Sequence, residues 1–351
     1  MTRKIKAVII DDSMFVRGIV SDQLKKESGC EVIAFGKTGL DCLDLAEKLK
    51  PDIMILDIEM PVMNGLAALE EMKKRGIRVP VIMLSSLTQH GAKETFRALE
   101  LGAIDFVPKP SGENKFDAVG IGNQLKSKIR GYFSNLDAET SKKTVIPVEN
   151  KTFQKTTPVK AIGIGTSTGG PRALQKLFSQ ISSGLNLPVF IIQHMPKGFT
   201  TAFAERLDEI SDYKVKEAEN GEIVTAGVAY LAPGDTHMRV VKNGASFMIE
   251  INHGDLVNGH RPSIDVTMDS LQECYGSNLL CAILTGMGKD GAMAIKKIHD
   301  VGGTTIAQDS ESSVVFGMNR QAIEMGGIDY IINIDEMMSK MTEVIQKRGK
   351  E

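Results

Sequence analysis

The feature that most restricts this chain is the alternation of short apolar runs with amphipathic helical stretches. Strands separated by whole helices cannot pair as tight hairpins and must lie parallel in a common sheet. Between Ile5 and about Ser134 five such runs occur: "KAVIIDD", "CEVIAFG", "PDIMILD", "VPVIMLSS" and "AIDFVPKP". They are apolar without strict alternation, as expected of strands covered on both faces. The intervening "SMFVRGIVSDQLKKES" and "NGLAALEEMKKRG" carry apolar residues at three- and four-residue spacing, with Gly29 and Gly76 as helix stops. From Ala161 the alternation resumes at "KAIGIG", "LPVFIIQ", "LLCAILT" and "GTTIAQD". Between the second and third of these runs, "GEIVTAGVAYLAPGDTHMRVVKNGASFMIEINH" breaks into short β-like pieces, read as hairpins inserted into the parallel framework.

The expected fold is therefore α/β, with two doubly wound parallel-sheet domains, the second carrying an inserted β-hairpin region. At 351 residues and 42% hydrophobic content the chain can bury two ordinary cores. The polar stretch rich in Lys, Thr and Glu between the domains reads as a linker. The expected divisions are 1–130, linker 131–158, and 159–348.

A net charge of −2 offers no general attraction to nucleic acid or to an anionic membrane. In residues 160–351 acidic side chains outnumber basic ones, and no helix-turn-helix pattern occurs, which argues against a DNA-binding output module. The four cysteines show no C-x-x-C pair and sit in apolar-periodic segments, so buried free thiols and a reducing cytoplasm are expected. No stretch approaches the roughly 18 apolar residues of a membrane span, and nothing in the sequence is expected to export or anchor the chain.

Doubly wound folds place their sites at the carboxyl ends of the strands. In the first domain those ends deliver Asp11 and Asp12, Asp57, Ser85 and Lys109. Taken singly, an aspartate here caps a helix and a lysine is solvated. Taken together, three converging acids repel unless a cation lies between them, and Mg²⁺ is the hard, oxygen-seeking choice.

In the second domain, "GIGTSTGGPRAL" raises three readings. A Walker loop fails because Pro171 stands where its lysine must be, and a dinucleotide loop is weak because Thr168 fills the third glycine position. Residues 165–169, "GTSTG", satisfy G-x-S-x-G between a strand and a helix, making Ser167 a nucleophile candidate. The plainer alternative is that Gly169, Gly170 and Pro171 start a helix that Ser167 or Thr168 caps. A nucleophilic serine requires a base, and the base an orienting acceptor. Of six histidines, only His194 directly follows a buried strand; Asp290 lies just past another, in a glycine-rich turn. Ser263 in "RPSID" has no neighbouring motif that would activate it.

Residues 5 to about 125 resemble the flavodoxin-like receiver domain of two-component response regulators. That resemblance implies phosphorylation of Asp57 by a chemotaxis histidine kinase. It also implies Mg²⁺ held by Asp11, Asp12, Asp57 and the backbone carbonyl of Glu59, with Ser85, Phe106 and Lys109 as switch residues. Residues 160–346 resemble the catalytic domain of the chemotaxis protein-glutamate methylesterase family, the CheB family, through "GTSTGGP", "QHMP", "YLAPGDTHM", "HRPSIDVTMDS", "LTGMGKDGA" and "SVVFGMNRQAI". The implied reaction is hydrolysis of glutamate γ-methyl esters, and deamidation of glutamines, on methyl-accepting chemoreceptors. Ser167, His194 and Asp290 would do the chemistry, with no cofactor for this half. Backbone amides near His194 and Met287, with Thr168, would bind the oxyanion. Thr166 stands where alanine is often found. The order of parts further implies that phosphorylation relieves inhibition by the receiver.

Overall fold

The computed structural model describes residues 4–25, 29–109, 117–140, 157–181 and 183–349, in two compact units, Met1–Arg130 and Gly131–Glu351. The first unit runs β1 (Ile5–Ile10), α1 (Met14–Lys25), β2 (Cys30–Gly36), α2 (Gly39–Leu49), β3 (Ile53–Asp57), α3 (Gly65–Lys74), β4 (Val81–Ser85), α4 (Gln89–Leu101) and β5 (Asp105–Pro108). Its last helix is α5 (Asp117–Thr140). The strands order as β2-β1-β3-β4-β5, every pair parallel. The chain reverses its direction of winding between β1 and β3, which brings the ends of those strands together at a crevice.

Local signals account for the element ends. Thr38 and Asp41 form a reciprocal capping box at the start of α2. Gly102, in the left-handed region at φ 117, closes α4. Gly65 is required at its position, since a Cβ there would stand 2.1 Å from the Asp57 carbonyl oxygen. Helix α3 can therefore begin directly against the end of β3. Gly76 has the left-handed φ of a helix stop, but Gly29 does not; its carbonyl instead accepts from Ile5 at the sheet margin.

The second unit runs β6 (Ala161–Thr166), α6 (Gly170–Phe178), β7 (Val189–Gln193), α7 (Thr200–Glu209), β8 (Lys214–Glu217), β9 (Val228–Leu231), β10 (His237–Asn243) and β11 (Ser246–Asn252). It continues with α8 (Ile264–Tyr275), β12 (Leu279–Ile283), α9 (Ala292–Asp300), β13 (Thr304–Gln308), α10 (Met318–Glu324), β14 (Tyr330–Ile332) and α11 (Met337–Arg348). A seven-stranded parallel sheet has the order β14-β13-β12-β6-β7-β9-β8, and β10-β11 is an antiparallel hairpin outside it. Strands β6, β7, β12 and β13 are buried along their whole length. Each fully buried aliphatic side chain there contributes roughly 1.5–3 kcal/mol. The winding reverses at β6, with β7 on one side and β12 on the other.

The structure departs from the sequence reading at four further places. "VAYL" is not a hairpin arm but β9, inserted between β7 and β8 in the parallel sheet. Strands β8 and β14, only 4 and 3 residues long, carry too little pattern to be read. His237, not among the histidines that follow a buried strand, begins β10 and is buried. Helix α5 continues to Thr140, ten residues into the stretch read as linker; residues 131–140 contain no proline to break it, and Gly131 is carried within the helix. Of the rest of that linker, 141–156 lie outside the described residues.

Candidate active site

In the first unit, Asp57 ends β3 and Asp11 follows β1, both essentially without solvent exposure, while Asp12 is exposed. One carboxylate oxygen from each of the three lies within 4.8 Å of the others. The Lys109 ammonium reaches in from the end of β5, 2.5 Å from Asp57 Oδ2 and 3.0 Å from Asp11 Oδ2. Those two buried oxygens make ion pairs but accept no well-angled hydrogen bond. Burial, reinforced by the Asp11 charge, pushes Asp57 up to about 6 despite Lys109. Burial likewise raises Asp11. For Lys109 burial acts downward, but the two carboxylates outweigh it and its pKa rises.

The remaining positions in this pocket differ in how they are held. Glu59 presents its amide to Asp57 Oδ1 at 3.2 Å. Ser85 lies on the neighbouring strand, yet its hydroxyl is engaged by α4, accepting from Thr95 Oγ1 at 2.6 Å and donating to the Gly91 carbonyl at 3.1 Å. Phe106 is buried, edge-on to Phe96. Two residues that sequence reasoning missed secure this arrangement. Thr95 holds Ser85, and the guanidinium of Arg17 donates to the carbonyls of Asp11 (2.6 Å) and Asp12 (3.1 Å). Both lie in helices, where the sequence offers no sign that they turn toward the sheet edge.

In the second unit the reversal at β6 gathers three strand-end residues. Ser167 follows β6, and its amide donates to the Thr285 carbonyl at 3.0 Å. Its hydroxyl lies 3.1 Å from His194 Nδ1. His194 Nε2 lies 2.8 Å from Asp290 Oδ2. Asp290 is 2% exposed and accepts three further short hydrogen bonds, from Asn258 Nδ2 (2.8 Å), Ser263 Oγ (2.8 Å) and the Ile264 amide (2.7 Å). Burial acts against its charge, but His194, Asn258 and the Ile264 amide more than offset it and hold the carboxyl well below the ordinary range. A carboxylate so held stays ionised, keeps the proton on Nε2 and leaves the Nδ1 lone pair for the serine hydroxyl.

The loops around the serine are tied to one hub. Thr285 accepts from Thr166 and Ser167 through its carbonyl, and its hydroxyl donates to the Thr168 carbonyl at 2.9 Å. The side chain of Thr166 therefore joins this scaffold. Gly286 packs so closely that a Cβ there would stand 2.9 Å from Ser167 Cβ, which brings the segment leading into Met287 against the serine. Gln193 Nε2 donates to the carbonyls of Ser167 (3.1 Å) and His194 (2.9 Å), linking nucleophile and base. The His194 amide donates to Thr166 at 3.2 Å, so the amide of His194 itself is already engaged.

Four residues here escaped the sequence reading: Asn258, His260, Ser263 and Gln193. Ser263 is a hydrogen-bond donor to Asp290 rather than a bystander. The ring of His260 lies parallel to that of His194, with centroids 3.8 Å apart and an interplanar angle of 12°. The available signal was the Asn-Gly dipeptide at 258–259, which marks a tight turn.

Fold and sites together define a response-regulator enzyme, in which a receiver domain precedes an α/β catalytic domain. Residues 7–119 match the response regulator receiver domain, and residues 162–341 match the CheB methylesterase model. A "protein-glutamate methylesterase/protein-glutamine glutaminase" of Pyrococcus horikoshii is 40% identical over 99% of this chain and 96% of its own length. Its namesake from Archaeoglobus fulgidus is 42% identical over 99% of each chain, and that of Salmonella typhi 41% over 96% of each. The catalytic domain of Thermotoga maritima CheB methylesterase superposes with a TM-score of 0.52 at 41% identity, covering 53% of this chain and 98% of that one. This chain belongs to the CheB methylesterase family. Among the described residues no helix is long and apolar enough to cross a membrane, and the four cysteines are free thiols.

Proposed function

We propose that this protein hydrolyses glutamate γ-methyl esters, and deamidates glutamines, on methyl-accepting chemoreceptors in the cytoplasm, under control of phosphorylation at Asp57. The observation that carries the chemistry is the continuous chain from the Ser167 hydroxyl through His194 to Asp290. Ser167 Oγ attacks the ester carbonyl as its proton passes to His194 Nδ1. Collapse of the tetrahedral adduct breaks the C–OCH₃ bond, and Nδ1 returns the proton to the departing methanol. Water then repeats the sequence on the acyl-serine, releasing glutamate. For a glutamine the leaving group is ammonia. Asp290 stabilises the imidazolium formed on the way. Amides of Thr168 and of the Met287 loop are the proposed oxyanion donors, each worth roughly 10² to 10³ in rate.

At the other site the donor set suits a hard cation: three carboxylates converge, two of their buried oxygens lacking a hydrogen bond. Asp11, Asp12, Asp57 and the Glu59 carbonyl would hold Mg²⁺. When bound, the ion neutralises charge on the phosphoryl group being transferred. Asp57 attacks phosphorus as the N–P bond of a kinase phosphohistidine breaks, and Lys109 pairs with the new phosphoryl oxygens. For Ser85 to turn toward that group it must leave Gly91 and Thr95, the local rearrangement proposed to start the switch, with Phe106 following. Residues 1–130 are assigned to the receiver, 131–158, of which the first ten continue α5, to the linker, and 159–348 to the esterase. The deciding experiment is release of methanol from methyl-labelled receptor membranes by the full-length protein; no release above the level of a Ser167→Ala variant would remove the proposal.

A further inference from the structure

We propose that His260 is a positioning residue for the base, holding the roll angle of the His194 ring by face-to-face stacking; this rests on the Ser167–His194–Asp290 reading. Hydrogen bonds at Nδ1 (3.1 Å) and Nε2 (2.8 Å) fix two points of the ring. They leave the tilt of the ring plane, its roll, to coupled rotation about the Cα–Cβ and Cβ–Cγ bonds that tether it. Roll carries the in-plane lone pair of Nδ1 out of line with the serine hydroxyl, and hydrogen bonds weaken steeply with misalignment. A second ring parallel at 3.8 Å removes that freedom.

The support for His260 is itself rigid. Asn258 (φ 53) and Gly259 (φ 79) both lie in the left-handed region, the signature of a tight two-residue turn. On either side of them Val257 and His260 exchange backbone hydrogen bonds at 3.0 and 3.2 Å. Arg261 anchors the next step by donating to Asp235 Oδ1 (2.6 Å) and to the Gly254 carbonyl (2.9 Å). One turn thus places Asn258 on Asp290 and His260 on His194. The segment 258–264 orients the acid from one side and the base from another.

The test compares His260→Phe, which keeps a flat face without nitrogens, with His260→Leu, which fills similar volume without a flat face, and with His260→Ala. Initial rates of methanol release would be measured on the full-length protein across a range of receptor-membrane concentrations, alongside inactivation of Ser167 by phenylmethylsulfonyl fluoride and thermal melting. Leu and Ala are expected to lower kcat about tenfold or more, in line with the cost of small misplacements at a reacting centre. KM should stay within about twofold, and serine inactivation should slow in parallel. Phe should restore most of kcat. If Leu matches wild type, or Phe is as slow as Leu at equal folded fraction, stacking is not the role of His260. A Ser167→Ala control separates the two ideas: activity surviving in it sinks the triad itself, whereas an inactive control beside a fully active His260→Leu sinks only the stacking.

Discussion

His194 turns Nδ1 toward the Ser167 hydroxyl and Nε2 toward Asp290. The serine-protease template has the two nitrogens the other way round. Turning the ring over by half would put carbons at both positions, so the assignment follows from the path of the chain. Ser167 and His194 end adjacent strands, with Thr166 beside Gln193 in the register. The nitrogen nearest the backbone therefore reaches the neighbouring serine. The distal nitrogen extends to Asp290, whose strand lies on the far side of β6.

Ser167→Ala and His194→Ala should each abolish methanol release and leave both the fold and phosphorylation of Asp57 intact, because the members act as a unit. Circular dichroism and phosphate incorporation would report the intact parts. Near wild-type turnover in Ser167→Ala would mean that another group is the nucleophile.

Removing donors to Asp290 should have graded effects. Asp290→Asn turns an acceptor that takes four short hydrogen bonds into one that also presents N–H groups to donors, so it should slow turnover more than Ser263→Ala does. Ser263→Ala leaves Asn258 on the same oxygen and should weaken the network by about 1 kcal/mol. Kinetics of the single and double variants of Asn258 and Ser263 would show non-additive losses.

The low-lying carboxyl of Asp290 makes stability pH-dependent with a definite sign. Below its ordinary value of 3.8 the unfolded chain takes up a proton that the folded one resists. The stabilisation is thus present above that pH and lost as acid is added. In Asp290→Asn the fall of unfolding free energy over this acid range should be shallower, by at most one proton, or about 1.4 kcal/mol per pH unit. Urea melts at several pH values would detect this, and identical slopes would refute it.

Asp57→Asn should not form an acyl phosphate, and chelation of Mg²⁺ should have the same effect on the wild type. Asp11→Asn and Asp12→Asn should weaken Mg²⁺ binding more than they disturb folding. A small-molecule phosphodonor should raise methanol release by the full-length protein and leave Asp57→Asn unaffected. Label persisting in Asp57→Asn would identify a different acceptor.

Arg348, 5% exposed, ends α11 with donations to the Thr157 carbonyl (2.7 Å), the Ser277 carbonyl (2.6 Å) and Thr304 Oγ1 (2.8 Å). Arg348→Ala leaves Thr304 Oγ1 buried without this donor and takes one partner from the Thr157 and Ser277 carbonyls, and should cost about 1–3 kcal/mol of stability. Reactivity of Ser167 below the melting transition should be unchanged. Equal melting temperatures would show the bonds to be dispensable.

The first sheet and the four central strands β13, β12, β6 and β7 of the second were legible in the sequence because buried parallel strands are apolar over four to six residues, and the helices between them leave no other pairing. The strand ends carrying Asp11, Asp57, Ser167, His194 and Asp290 followed from the same alternation. The short strands β8 and β14 and the helical residues 131–140 did not, since their patterns are too brief or too polar to separate from loop.

What the sequence alone determined is the kind of fold and the residues delivered to one edge of each sheet. Tertiary structure alone decided which groups meet there. The order β12-β6-β7 brings Asp290 to His194 across 96 positions of chain, the turn at 258–259 lays His260 on the base, and Thr95 engages the Ser85 hydroxyl. Periodicity records which face of an element is buried; the partner across that face depends on strand order and loop path, which no local pattern encodes.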